Sequence, residues 1–270
     1  MCTDEHATPL TTQRAVVLYL SAKTVTSQRG SPAARYDLPS VRAFLDAVAA
    51  CGCSAGVAAT TAKDDDDEWD LISFKTLLGV TGWMAGPSML QQHNVPHTVL
   101  TTMPSVVDQL RGVASVEHVM ADDMPARVHA LASTPGRSLT LIHVSVDDYS
   151  AALDGTLLAL LAERRDTFFG VFLETPKQSL PSDQRYEART LFPLPKQSWA
   201  KQRNEYITKP VESQRALAYA FYAQDQVRPD GLSSFNVPAM LSSGGYGILR
   251  IDAALAEVVF RLGYSPKYGA

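Results

Sequence analysis

Leu139-Thr-Leu-Ile-His-Val-Ser145, then Ala151-Ala-Leu-Asp-Gly-Thr-Leu-Leu-Ala-Leu-Leu-Ala-Glu163, then Thr167-Phe-Phe-Gly-Val-Phe-Leu173 is the stretch whose reading decides the fold. The first and third pieces are short, nearly continuous apolar runs, the pattern of strands covered on both faces. The middle piece reads as a helix with Leu153, Leu157, Leu158 and Leu161 aligned on one side. Together they form a βαβ unit. The rhythm continues toward the N-terminus, with residues 97–100 as strand, 104–110 as helix, 116–120 as strand and 125–132 as helix. Further back, Ala15-Val-Val-Leu-Tyr-Leu20 reads as a buried strand near the centre of the sheet. Pro39-Ser-Val-Arg-Ala-Phe-Leu-Asp-Ala-Val-Ala-Ala50 reads as a helix opened by a proline in its first turn, with Val41, Phe44, Leu45 and Val48 on one face and Gly52 as its stop. The fold class is therefore α/β, a mostly parallel sheet with helices on both faces. Its functional cleft is expected at the carboxyl ends of the strands.

After Pro176 the texture changes. Five prolines fall between Pro176 and Pro210, periodicity fades, and a helix is expected over 212–222. This part is expected to pack across the first. Residues 251–262 form an amphipathic helix, followed by Gly263. Up to Pro176 there are 12 basic against 20 acidic residues; beyond it there are 12 against 8. No internal repeat is evident.

With 270 residues, 46% of them hydrophobic and 19% charged, the chain has the composition of a large globular domain, not of a disordered one. A net charge of -4 supplies no global basic field for nucleic acid or anionic membranes. The N-terminal stretch has no basic start followed by an apolar run, so residues 1–13 are expected to be a flexible tail and not a signal peptide. No run approaches the roughly 18 apolar residues of a membrane span. A cytoplasmic protein is expected.

Several residue patterns invite chemistry and are read against it. Cys51-Gly-Cys53 has no second cysteine pair to complete a zinc site, and one intervening residue is tight for a disulfide; these thiols are expected as core fillers. The acidic run Asp64-Asp-Asp-Asp-Glu68 reads as a solvated loop. His93 and His97 stand four apart, but Asn94 and Pro96 between them indicate a turn instead of a metal-binding helix face. His143, inside an apolar strand, is expected to be a core histidine hydrogen-bonded to a neighbour. His118 and His129 lack acidic partners at a useful spacing. Trp69, Trp83 and Trp199 are expected to be partly buried in the core. Neither a nucleophile elbow, a Walker loop nor a dinucleotide fingerprint is present.

Four stretches, taken in order, resemble the alkaline phosphatase superfamily, most closely its cofactor-independent, archaeal-type phosphoglycerate mutase branch. Strand 16–20 with Leu38-Pro-Ser-Val-Arg-Ala-Phe-Leu-Asp-Ala-Val-Ala-Ala-Cys-Gly52 resembles the family's first strand and helix. Ser73-Phe-Lys-Thr-Leu-Leu-Gly79 resembles the helix after the nucleophile. Leu141-Ile-His-Val-Ser-Val-Asp-Asp-Tyr-Ser-Ala-Ala152 and Phe168-Phe-Gly-Val-Phe-Leu-Glu-Thr-Pro176 resemble the middle metal motif and the later Asp-His turn. Gly244-Gly-Tyr-Gly-Ile-Leu-Arg-Ile251 and Pro266-Lys-Tyr-Gly-Ala270 resemble the closing strand and tail. About half of the chain is covered.

The resemblance implies two divalent metals held by Asp and His, and a nucleophile activated by them. Residue by residue, this chain departs from that pattern. Ser21-Ala-Lys23 stands where the first Asp belongs, and Ala151 and Ala152 stand where a His should follow Asp147 and Asp148. Leu173-Glu174 replaces the later Asp-His. Counting back from Leu77-Leu-Gly79 puts Asp70 at the nucleophile and Phe74 at a histidine, with Ser73 out of register. The roughly sixty residues from Gly79 to Leu139 read as ordinary strand and helix elements, so the lid of the larger enzymes is expected to be absent.

The expectation is a single alkaline-phosphatase-like α/β domain over 14–270 without the lid, its Pro-rich 177–270 part completing the core. No catalytic, cofactor-binding or metal-ligating residue is assigned, and no cofactor. The expected role is that of a catalytically inactive phosphoglycerate-mutase-like pseudoenzyme, a scaffold or adaptor that binds other proteins in an assembly, with neither nucleic acid nor membrane as partner. Two alternatives stay open: a metal-dependent phosphomutase or phosphatase with relocated ligands, and a non-catalytic phosphometabolite sensor.

Overall fold

Eight strands share one sheet in the computed structural model, which describes residues 12–21, 39, 41–51, 54–59, 74–75, 77–78, 88–112, 114–175, 201–202, 205–206, 216–224, 231–236, 239–240 and 248–265. The strands are β1 (Arg14–Ser21), β2 (Ser54–Ala59), β3 (His97–Thr101), β4 (Val116–His118), β5 (Ser138–Ser145), β6 (Thr167–Thr175), β9 (Ala216–Tyr222) and β10 (Ile248–Arg250); β7 (Lys201–Gln202) and β8 (Glu205–Tyr206) pair separately. The order across the main sheet is β10-β2-β9-β6-β1-β5-β3-β4. Within this sheet all pairings are parallel except the two that β9 makes, with β2 and β6. The fold is α/β with a mostly parallel sheet, and β1 lies inside it between β6 and β5, as the buried run 15–20 implies.

The helices are α1 (Ala43–Ala50), α2 (Met89–Gln92), α3 (Pro104–Leu110), α4 (Met124–Ser133), α5 (Ala151–Glu163) and α6 (Ile251–Arg261). Strand alternation sorts the core into two layers. Val16, Leu18, Ile142, Val144, Phe169 and Val171 point toward α1, α4 and α5. Val17, Tyr19, Leu141, Phe168, Phe172 and Phe221 point toward α2, α3, α6 and the helical residues Phe74 and Leu77 with Leu78 after them. Both layers are buried, and each large apolar side chain buried this way contributes about 1.5 to 3 kcal/mol.

Local chemistry explains where helices begin and end. Ser88 closes a reciprocal capping box with Gln91 at the start of α2, and Ser150 caps α5 through Leu153 N–H. At the end of α6, Gly263 adopts φ +77, with Gly263 N–H bonded to Phe260 O and Tyr264 N–H to Val259 O, a Schellman motif. The start of α1 has no side-chain cap of its own, because Arg42 occupies that position. Asp154 of α5 supplies one from across the layer: its Oδ1 accepts from Phe44 N–H at 3.1 Å and from the Tyr149 hydroxyl at 2.8 Å. Burial together with the Asp154 carboxylate drives the Tyr149 phenol well above its ordinary value.

Four expectations need correction. Residues 216–222 form strand β9 and not a helix: Leu217, Tyr219 and Phe221 face one layer while Ala218 and Ala220 face the other, a period of two that the helix propensity of alanine obscures. Helix α1 starts at Ala43, four residues after Pro39, so Val41 precedes it. The buried stripe of α5 is Leu153, Asp154, Leu157 and Leu160, with Leu158 left 36% exposed. Cys51 is an exposed C-cap of α1 and no core filler, since that helix buries Phe44, Leu45, Val48 and Ala49. From Ser88 to Ser138 the described chain builds elements of the main sheet and its covering helices. No helix among the described residues is long and apolar enough to cross a membrane.

Candidate functional site

In a parallel sheet the strands' carboxyl ends share one rim, so side chains near Ser21, Thr101, Ser145 and Glu174 converge there. One row across this rim is set by register. Thr101 pairs with His143, His143 with Tyr19, Tyr19 with Phe172, and Phe172 with Tyr219. Thr101, His143 and Tyr19 are all buried.

The His143 ring packs between two aromatic neighbours: Tyr19 at 5.3 Å between centroids and 25° between planes, and Phe74 at 4.6 Å. Tyr19 and Phe74 also touch, at 4.9 Å. The Tyr19 hydroxyl donates to Glu174 Oε1 at 2.5 Å, with the glutamate 1% exposed. Thr101 Oγ1 accepts from Met103 N–H at 3.1 Å and lies 3.0 Å from His143 Nδ1. The threonine hydroxyl has a second lone pair as well as its proton, so it can meet Nδ1 in either tautomer of the His143 ring. Its Nε2 has no hydrogen-bond partner among the described residues. Burial depresses the imidazole pKa from 6.5 to about 4. At pH 7 the ring is therefore neutral, and it is too weakly basic for general-base work near neutrality.

Just beyond this row, Ser21 and Ser145 face each other in register, both buried. The Ser21 hydroxyl approaches Met103 Sδ at 4.0 Å. Thr102 Oγ1 donates to Asp148 Oδ2 at 2.8 Å, and Asp148 N–H donates to Ser145 Oγ at 3.2 Å. These bonds fasten the loop after β3 to the short 3-10 turn Val146–Asp148. The Asp148 carboxylate thus serves as a tie, while Ala151 and Ala152 lie exposed on the first turn of α5.

The structure brings Ser21, Phe74, His143, Asp148 and Glu174 to one rim. It keeps His93, His97 and His129 apart from it, whereas His118, at the end of the edge strand β4, pairs in register with Thr101 and so extends the same row. His93 caps α2, and Asn94 turns with φ +50. His97 uses both ring nitrogens: Nδ1–H donates to Val95 O at 2.7 Å, and Nε2 accepts from Ser115 N–H at 3.3 Å. His118 and His129 are exposed. Among the described residues no group of three or more His, Cys, Asp or Glu side chains is placed to hold a metal ion. Cys53, the run at 64–68, Asp70, Ser73, Trp69, Trp83 and Trp199 lie outside the described residues. Sequence reasoning passed over Tyr19 and Thr101 altogether. The one available signal was a tyrosine and a threonine closing otherwise apolar strand runs.

No family model matches the sequence, and no curated protein matches it. Among solved structures the chain is similar to a protein from Pyrococcus horikoshii, at TM-score 0.43 and 12% identity over 67% of this chain and 46% of that one. It is similar to cofactor-independent phosphoglycerate mutase from Thermoplasma acidophilum, at TM-score 0.40 and 13% identity over 66% and 39%. It is also similar to the C-terminal periplasmic domain of a phosphoethanolamine transferase from Campylobacter jejuni, at TM-score 0.46 and 10% identity over 95% and 93%. The mutase and the transferase are alkaline phosphatase superfamily proteins. The chain spans less than half the length of the Pyrococcus and Thermoplasma proteins.

Proposed function

We propose that this chain is a non-catalytic phosphoglycerate-mutase-like core that acts by binding another protein, as a scaffold or adaptor. One observation carries the reading. At the rim where the resembled enzymes would present aspartate and histidine to metal, the space beside β1 and β5 is filled by the interlocked rings of Tyr19, Phe74 and His143. A hydroxyl and a carboxylate that reach this region, from Tyr19 and Glu174, bond to each other. A metal-dependent phosphoryl transfer needs ionised ligands converging on an open position; among the described residues, a buried ring cluster around a neutral imidazole offers neither.

The reading is tested by metal content and turnover measured together. Protein purified without chelators and assayed on phosphomonoesters with added zinc and manganese is expected to hold no stoichiometric metal and to turn over at the buffer rate. About two bound equivalents with phosphatase or mutase activity would overturn it. Thermal stabilisation that grows with phosphoglycerate concentration would instead support the sensor alternative.

A further inference from the structure

We propose that the groove between the end of α5, the end of α1 and the end of β9 docks an acidic peptide segment of a partner protein, one that carries a bulky apolar side chain beside its carboxylates. This rests on the protein-binding reading above and gives it a location. The groove lies at the amino-end rim of the sheet, opposite the ring cluster, and measures about 440 Å³. Its walls are Leu158, Leu161, Ala162 and Tyr222, and Arg164 and Arg165 lie at one side.

Two features call for an occupant of that chemistry. Leu158 is one of only two large apolar side chains exposed among the described residues, and it belongs to a helix whose buried stripe runs through Leu153, Leu157 and Leu160 instead. The second feature is charge. Among the described residues no acidic side chain lines the groove. Arg165 makes no hydrogen bond or ion pair among the described residues, and Arg164 reaches only the Ser133 hydroxyl, at 3.3 Å. Cations at a helix C-terminus are favourable in themselves, which accounts for the arginines but not for the leucine beside them. Two guanidinium forks next to an apolar wall match a carboxylate-bearing segment with an aromatic or aliphatic anchor, the pairing that gives interfaces both direction and energy.

The test uses the full chain and a fluorescein-labelled synthetic peptide of sequence DEWLDE, read by fluorescence anisotropy. Saturable binding is expected, weakened by added salt and lowered about tenfold in affinity by either Arg165→Glu or Leu158→Ser. Both positions are exposed, so unchanged melting temperatures will show that the variants remain folded. Cys51 also lines the groove and is free. Bound peptide is therefore expected to protect Cys51 from iodoacetamide, as mapped by mass spectrometry. Absence of saturable binding, or equal binding by both variants, would overturn the proposal. So would binding of phosphatidylserine vesicles, with the same variant dependence, in place of the peptide. The metal and turnover assays separate the two readings: a metal-free, inert protein that ignores the peptide refutes the groove alone, whereas a metal-loaded, active one refutes the binding role first.

Discussion

Toward α1, α4 and α5 the sheet presents Val16, Leu18, Ile142, Val144 and Val171, with the ring of Phe169 among them and that of Tyr222 partly buried against them. Toward α2, α3 and α6 it presents Tyr19, His143, Phe168, Phe172, Tyr219 and Phe221, and among the described residues all but one of the ring contacts lie in this layer. The first layer is held by volume and shape, which tolerate exchange of one aliphatic side chain for another. In the second, rings fix each other's orientation, and hydroxyl, imidazole and carboxyl groups must find partners in a buried setting. The polar members gather at the carboxyl rim, where an α/β sheet ordinarily holds its ligand. At that rim the described side chains of Tyr19, His143 and Glu174 are buried.

The contrast can be broken experimentally, most forcefully at Phe172. Its buried ring contacts Tyr219 and Phe221, so Phe172→Ala is expected to lose about 3 to 5 kcal/mol in urea denaturation, against about 1 to 2 kcal/mol for Val171→Ala on the other layer. A loss below about 2 kcal/mol for Phe172→Ala would show that ring packing does not hold this layer. On the aliphatic side, Asp154→Ala strands two buried donors, Phe44 N–H and the Tyr149 hydroxyl, and is expected to remove about 3 kcal/mol. Asp154→Asn keeps an acceptor oxygen and should lose less than half as much.

A pH titration probes the ring layer directly. Because the folded pKa of His143, about 4, lies below the unfolded 6.5, the unfolded chain binds the extra proton between these values. Stability is thus full above pH 6.5 and falls as pH drops toward 4, by about 2 kcal/mol at pH 5. His143→Gln should flatten that part of the profile, and an unchanged slope would place the titration elsewhere. The smallest effect is expected at Tyr19→Phe, which removes the donor to Glu174 while keeping the ring contacts. Thermal melts should report about 1 to 2 kcal/mol.

Much of this arrangement could be read from the chain alone, and the remainder failed for identifiable reasons. β1, β5, β6 and the helices between them announce themselves through apolar runs and spacing, because burial on both faces leaves no room for another pattern. β2, Ser-Ala-Gly-Val-Ala-Ala, has side chains too small to carry an apolar period. In β9 alanines alternate with large residues and imitate a helix. At the rim, a partner for His143 was foreseeable from its apolar surroundings, but its identity as Thr101 depends on the β3–β5 register, which no local pattern encodes. The bond from Tyr19 to Glu174 likewise joins residues 155 positions apart. Asp154 was hidden because a helix-stripe reading looks for leucines and skips a carboxylate between two of them.

The lone reversed strand also governs how the chain can be assembled during synthesis. β2 leaves the ribosome early, yet its neighbours in the sheet are β9 and β10, encoded far downstream. Strands β1, β3, β4, β5 and β6 can pair as soon as Thr175 has emerged, while Ser54–Ala59 must wait, with both backbone edges unmatched, until Tyr222 and then Arg250 follow. Sequence separations of this size slow folding, so the N-terminal third of the newborn chain is the part that most needs shelter from premature pairing.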